Sequence, residues 1–295
     1  MLKRTLNRVV YNLLCGRKGS QSLVYNVSAI GAQYDTVKEI GRGSTGTVYK
    51  IKKKDSGRLL TCKKISKWQR YRAAREVNAL RQISGSKLQK FHRKIEDELY
   101  ICILSEYIHG MDLFNSIVDK TNMTEDQARP IVLQMALCIK QCLDSDVAHL
   151  DIKTENFIVV DPQHYKLMLI DFGTAHCLSR GRGMGLLKMP AGTHGYSPPE
   201  FYDGRFHRNS DIWSLGVCTW VLLTGGLPFS GIHKNIAPDI LGNYNCLEFP
   251  TEEHKEMLET MSPDLRYLIL QMLLPKPYAR ISIEEILIHP WIKNT

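Results

Sequence analysis

The stretch HLDIKTENF, His149 to Phe157, places an aspartate, a lysine, a glutamate and an asparagine within nine positions. A carboxylate, an ammonium and an amide this close together raise the question of phosphoryl transfer, where positioned charge does most of the catalytic work. Upstream, GRGSTGTV sets Gly41, Gly43 and Gly46 before Val48. Glycine lacks the Cβ that keeps a backbone away from phosphates. The G-x-G-x-x-G spacing also occurs in dinucleotide folds and ordinary tight turns. Here TVYKIKKK follows it, β-branched and alternating, so the loop joins two strands instead of opening a helix.

The next strand, LLTCKKI, offers Lys63 and Lys64. Alternation along a strand sends neighbours to opposite faces, so only one of them can meet the phosphates. Lys63 shares its face with small Thr61, which leaves room for an adenine ring. Glu76, in REVNAL on the following helix, is its natural ionic partner and would hold the ammonium against the α- and β-phosphates. A lysine in a basic strand is ordinarily solvated, and an Arg-Glu pair on a helix is ordinarily a solvent face. The glycine loop just before them outweighs both readings.

The elements that must position these residues are legible in outline. YDTVKEIG, GTVYKIKKK and RLLTCKKIS, the last two separated by DSG, predict an antiparallel meander after Tyr34. A helix is expected over Trp68 to Ile83, then a hairpin in KFHRKIEDELYICILSEY with its turn near Glu96 to Glu98. Beyond YIHG the pattern becomes helical. MDLFNSIVDK is followed by TEDQARPIVLQMALCIKQCL, which opens with Thr124 and Gln127 as a capping box. Pro130 conflicts with that helix and predicts a kink. NFIVV and YKLMLI read as short strands leading to DFG. Gly181 to Gly195, studded with glycine, reads as a mobile loop. No internal repeat appears, so one two-lobed domain is the economical reading.

Taken in order, these motifs resemble a eukaryotic-type serine/threonine protein kinase over Tyr34 to Ile292, closest to the PIM and calcium/calmodulin-dependent group. The resemblance implies an α+β bilobal fold, with a small β-rich N-lobe carrying one main helix, a larger α-helical C-lobe and an ATP cleft between them. The implied boundaries are a basic extension over 1–33, an N-lobe over 34–106, and hinge plus C-lobe over 107–295. It implies ATP and Mg2+ as cofactors. Asp151 would accept the proton of a substrate hydroxyl, Lys153 would contact the transferred phosphate, and Thr193 in GTHGYSPPE would bond to both. Asn156 and Asp171 would hold magnesium.

For the nucleotide, the resemblance implies Gly41, Gly43 and Gly46 over the phosphates with Lys63 and Glu76. Ile40, Val48 and Thr61 would roof the adenine and Ile158 would floor it. Ser105 falls at the gatekeeper position, with Glu106 and Ile108 presenting backbone groups. Asp112 would serve the ribose or, with Glu155, receive arginines upstream of the target residue, since carboxylates pair well with guanidinium. Asp211 in DIWSLGV would brace the catalytic loop, and Arg280 would pair with Glu200. The family's Ala-Pro-Glu is here Pro198-Pro199-Glu200, a departure shared with PIM-type kinases.

Leu150 departs further. In many kinases an arginine stands there and pairs with a phosphate on the activation loop. Leu150 cannot do so, and the loop offers Arg180, Arg182 and Lys188 but no acid. Activity without activation-loop phosphorylation is therefore expected, with Leu150 making an apolar contact.

Composition agrees with a globular protein: 43% hydrophobic and 23% charged residues, net charge +9. No apolar run approaches the roughly 20 residues of a membrane span. Eight cysteines without C-x-x-C spacing argue for reduced thiols and against structural zinc. A cytoplasmic or nuclear monomer acting on protein substrates is the expectation. Met1 to Tyr34 holds Lys3, Arg4, Arg8, Arg17 and Lys18 without an acid, with Leu2, Leu6, Val9 and Leu13 at helical spacing. That arm offers nucleic acid or membrane contact, beside the plainer reading of a tail. A nucleotide-binding pseudokinase and a small-molecule phosphotransferase are the rival readings. The first lacks its usual loss of catalytic residues, and the second lacks GTHGYSPPE and DIWSLG.

Overall fold

The computed structural model describes residues 28–43, 45–117, 123–178, 184–187, 191–229 and 251–294. The basic arm before residue 28 lies outside them, as do Arg180, Arg182 and Lys188. The described residues form two compact units. One runs to Val77 and includes Lys90–Tyr107; the other joins Asn78–Gln89 to the residues from Ile108 on.

In the first unit, β1 (Tyr34–Gly43), β2 (Gly46–Lys53), β3 (Leu59–Ser66), β4 (Phe91–Glu96) and β5 (Tyr100–Glu106) form one antiparallel sheet in the order β1-β2-β3-β5-β4. Alternation sorts the side chains. Leu60 and Cys62 join Ile30, Tyr34, Ile51, Cys102 and Leu104 in one apolar cluster, while Thr61 and Lys63 take the other face. The DSG turn closes through Gly57, whose φ of 68° suits a residue without Cβ. Asp97 makes the β4–β5 turn: its carboxylate accepts from the amides of Leu99 and Tyr100 at 2.9 and 2.7 Å. The helix α1 (Arg70–Gln82) follows a 3-10 turn over Lys67–Gln69.

Asn78–Gln89 belongs with the second unit because its backbone is tied there. Gln82 Nε2 donates to Ser145 O at 2.8 Å, Lys87 N to Gln141 Oε1 at 3.0 Å, and Gln89 N to Leu169 O at 3.0 Å.

The second unit is built on two helices that supply much of its core. In α2 (Glu125–Asp144), Thr124 and Gln127 form the expected capping box, and the helix continues through Pro130 without a break. Pro130, the sixth residue of the helix, forgoes one backbone bond without interrupting it. In α3 (Ser210–Thr224) every residue from Ser210 to Leu222 is buried, the mark of a helix surrounded by its own unit. Glu125 joins α2 to the chain's end: it accepts from Ser262 N at 2.7 Å, Ser262 Oγ at 2.6 Å and Trp291 Nε1 at 2.8 Å.

Short strands fill the rest: β6 (Met111–Asp112), β7 (Val147–Ala148), β8 (Phe157–Asp161), β9 (Lys166–Leu169), β10 (His176–Cys177), β11 (Met184–Leu186) and β12 (Arg205–His207). Two expectations change here. MDLFNSIVDK begins as strand β6, and the described helix covers only Leu113–Ile117. Within Gly181 to Gly195, read as mobile loop, Met184–Leu186 is a strand paired antiparallel with β12. Its backbone partners are 19 or more positions away in sequence, which local pattern cannot reveal.

Candidate active site

In the first unit, register brings the nucleotide residues into rows. Val48 stands opposite Lys63 across β2 and β3, and Thr61 stands opposite Ser105 across β3 and β5. Lys63 Nζ lies 3.0 Å from Glu76 Oε1, with the side chains only 10% and 4% exposed. Lys64 goes to the opposite face, its ammonium 3.9 Å from the centre of the Tyr100 ring. Strand alternation therefore separates the two lysines as expected.

Gly46, at φ 153°, could not carry a side chain: a Cβ there would meet Lys64 O at 2.4 Å. Gly43 differs, since a Cβ would meet nothing within 4 Å. Gly46 is demanded by the sheet, while the protein itself leaves the space beside Gly43 open. Ile40 is exposed, Val48 and Thr61 half-buried, Ser105 buried. Thr61 Oγ1 donates to Glu106 O at 3.3 Å, and Glu106 N donates to Lys90 O at 2.9 Å. Gly41 is half-buried in β1 opposite Val48.

In the second unit the catalytic-loop residues converge. Thr193 Oγ1 donates to Asp151 Oδ1 at 2.7 Å and accepts from Lys153 Nζ at 2.8 Å; Lys153 Nζ also lies 3.2 Å from Asp151 Oδ2. Asn156 Nδ2 donates to Asp151 O at 2.8 Å and to its Oδ2 at 3.3 Å. With its amide nitrogen so committed, Asn156 keeps its carbonyl oxygen for another partner. Burial works against the Lys153 ammonium, but Asp151, Glu155 and Asp171 outweigh it and raise its pKa above the ordinary lysine value. Asn156 O accepts from Ile170 N at 2.9 Å, fixing the loop to the residue before Asp171.

The loop is held from beneath. Asp211, wholly buried, accepts from His149 N at 2.7 Å and Leu150 N at 2.8 Å. Burial pushes its carboxyl up, while those two amides pull the other way. Leu150 itself is buried with φ 63°, and Asp171 has φ 60°. A left-handed residue with a side chain costs about 1–3 kcal/mol. Each charge-assisted bond to Asp211 returns roughly 1.5–3 kcal/mol, enough to hold Leu150 in place.

Sequence reasoning assigned no role to His149. Its Nδ1 accepts from Asp151 N at 3.3 Å and its Nε2 lies 3.0 Å from Ile170 O. A carbonyl only accepts, so Nε2 carries the proton and the ring joins Asp151 to Ile170, the residue before Asp171. Phe172 packs edge-on against that ring at 4.9 Å between centroids. Position alone, two before an aspartate, was the available signal. Thr193 is likewise set by its own turn, Thr193 O accepting from Tyr196 N and from Ser197 Oγ, both at 3.0 Å.

The two acids expected to choose substrates, Asp112 and Glu155, are less free than their sequence suggests. Asp112 Oδ1 accepts from Asn115 N at 2.9 Å and Oδ2 from Asn115 Nδ2 at 2.6 Å, so its carboxylate caps the helix that follows. Ile158 stands opposite Asp112 across β6 and β8. Glu155 accepts from Thr154 Oγ1 at 3.1 Å, and burial pushes its carboxyl above the usual value. Ile108 is half-buried outside any strand.

Glu200 and Arg280 form a two-pronged pair at 2.8 and 2.7 Å. Arg280 also donates to Leu274 O at 2.7 Å, Pro275 O at 3.0 Å and Asn209 O at 3.2 Å.

Residues 34–292 match the family described as the protein kinase domain. Calcium-dependent protein kinase 29 of Arabidopsis thaliana is 32% identical over 275 residues, covering 90% of this chain and 50% of the relative. Serine/threonine-protein kinase PEPKR2 of Arabidopsis thaliana is 30% identical over 292 residues, 99% of this chain and 58% of that one. Death-associated protein kinase 2 of Mus musculus is 29% identical over 273 residues, 88% and 71%. The chain thus spans about half the length of the first curated relatives it matches.

Proposed function

The chain belongs to the protein kinase family, and from that premise we propose that it transfers the γ-phosphoryl group of ATP to serine and threonine hydroxyls of proteins. The observation that carries this reading is the Asp151, Lys153 and Thr193 triangle, with all three contacts within 3.2 Å. Asp151 orients the acceptor hydroxyl and takes its proton. Lys153, kept charged by the acids around it, offsets negative charge on the moving phosphoryl group. Thr193 fixes both relative to the segment that follows.

Asp171 and the carbonyl of Asn156 are hard oxygen donors of the kind magnesium takes beside substrate phosphates. When bound, magnesium neutralises charge on the β- and γ-phosphates. In the first unit Lys63, steadied by Glu76, meets the α- and β-phosphates. Gly43, with its open space, is where a phosphate approaches the backbone. Glu106 O and Ile108 N address the adenine edge, and buried Ser105 leaves a small gatekeeper behind it.

Two finer features belong to the same reading. Glu155 and Asp112 favour substrates with basic residues before the target, Glu155 carrying more of the preference because Asp112 also holds Asn115. Activity does not depend on phosphorylating the loop that contains Arg180 and Arg182, since Leu150 is buried where an arginine would receive that phosphate. Protein from a bacterial host, shown by mass spectrometry to be unphosphorylated, is tested on a peptide library with ATP and magnesium. Transfer to serine and threonine peptides with upstream arginine is expected. ATP binding with no transfer to any peptide would instead favour the pseudokinase reading.

A further inference from the structure

If Leu150 removes the phosphate receptor, something else must order the segment between Asp171 and Glu200 that carries Thr193. Its first part is fixed by β10, where His176 and Cys177 pair with Ala148 and Val147, and by Leu178 N donating to Asp146 O at 2.7 Å. Its middle part, β11, lies along β12: Met184 opposite His207, Gly185 opposite Phe206, Leu186 opposite Arg205, and Leu187 N donating to Gly204 O at 2.8 Å.

Phe206 touches both parts. Its ring centroid lies 4.7 Å from that of His176, tilted by 42°. A Cβ added to Gly185 would stand 2.6 Å from two atoms of the same ring, so the ring also rests directly against the Gly185 backbone. Met184 and Leu186 are 64% and 72% exposed, which leaves Gly185 as the inward position of β11. Phe206 is 5% exposed. The strand that presents it is firmly rooted: His207 N donates to Ser210 Oγ at 2.9 Å, and Ser210 Oγ donates at 2.7 Å to Glu200, the partner of Arg280.

We propose that Phe206 is a positioning residue for phosphoryl transfer, clamping His176 and Gly185 together by packing where many relatives of this fold would use a phosphate and an arginine. The ring acts on the reaction through the segment and touches no substrate. A packed contact needs no covalent signal, so His176 and Gly185 are held as soon as the chain folds. The proposal rests on the reading of this chain as a kinase active without loop phosphorylation.

The experiment compares unphosphorylated wild type with Phe206→Ala, Phe206→Leu and Gly185→Val. Each is followed by peptide kinetics, ATP KM, thermal unfolding, and the rate of trypsin cleavage at Arg180, Arg182 and Lys188. Phe206→Ala and Gly185→Val should raise peptide KM and lower kcat, for a combined tenfold or greater loss, with ATP KM unchanged and cleavage at least fivefold faster. Phe206→Leu, which keeps an apolar side chain against Gly185 without adding a buried hydroxyl, should fall between wild type and Phe206→Ala in both. Gly185→Val repeats the defect with Phe206 intact, so the test survives if Phe206→Ala fails to fold. Peptide kinetics and cleavage in Phe206→Ala and Gly185→Val within twofold of wild type would overturn the proposal. A wild type that transfers nothing would overturn the kinase reading instead, while the cleavage rates would still decide whether the clamp exists.

Discussion

Two buried ion pairs, one in each unit, are built differently. Arg280 meets Glu200 through both prongs and gives its remaining reach to three backbone carbonyls, with no side-chain exposure. Lys63 meets Glu76 at 3.0 Å from a flexible stem, beside the sheet face that also carries Val48 and Thr61. A guanidinium fixed on five acceptors is bound into the structure. An ammonium is a compact charge that a carboxylate can steady and a phosphate can share. The difference separates a pair that holds the fold from a pair that, in the proposed function, serves the chemistry.

Replacing one partner in each pair should divide the two roles. Glu200→Gln leaves Arg280 charged and buried, because arginine cannot lose its proton. A loss of about 3–5 kcal/mol is expected in denaturant unfolding. Lys63→Met leaves Glu76, which can take up a proton and so limit the damage to the fold. Its effect should appear in transfer, slowed on the order of 10²–10³-fold, with a smaller stability loss than Glu200→Gln. If Lys63→Met proved the more destabilising of the two, the distinction between the pairs would be lost.

A finer contrast lies between Glu155 and an ordinary surface acid. Its carboxyl is raised by burial, so as pH falls it becomes neutral earlier than an exposed glutamate. The ratio of kcat/KM for an arginine peptide over its alanine counterpart should therefore fall as pH drops from neutrality. At neutral pH the preference should be about tenfold, the worth of one charged hydrogen bond. Glu155→Gln should flatten both the preference and its pH dependence. A ratio that stayed constant with pH in wild type would remove Glu155 from substrate choice. Smallest of all, Thr124→Ala should cost about 1 kcal/mol through the lost α2 cap and leave peptide KM unchanged, as thermal unfolding and kinetics together would reveal.

What the sequence made legible was local. Alternation separated Lys63 from Lys64, turn residues located the β4–β5 hairpin, and Thr124 with Gln127 marked the start of α2. The residues of the catalytic triangle were named by their motif, and the fold brings them within bonding distance. What stayed hidden depends on contacts between distant segments. Nothing near Met184 announces its pairing with β12, and the left-handed backbone of Leu150 is set by Asp211, 61 positions away. Asp112 looked available for a substrate because the bond from Asn115 is a matter of rotamer, which spacing does not fix.

In the proposed function Asp151 orients a serine or threonine hydroxyl without prior phosphorylation of the loop. A rapid-quench measurement of γ-phosphate transfer tests it most directly, using unphosphorylated wild type and Asp151→Asn with saturating ATP, magnesium and a serine peptide. Wild type should transfer without a lag, and Asp151→Asn should be slower by on the order of 10²–10⁴-fold with ATP binding retained. Transfer by Asp151→Asn at the wild-type rate, or a wild type inactive until its loop is phosphorylated, would contradict the account.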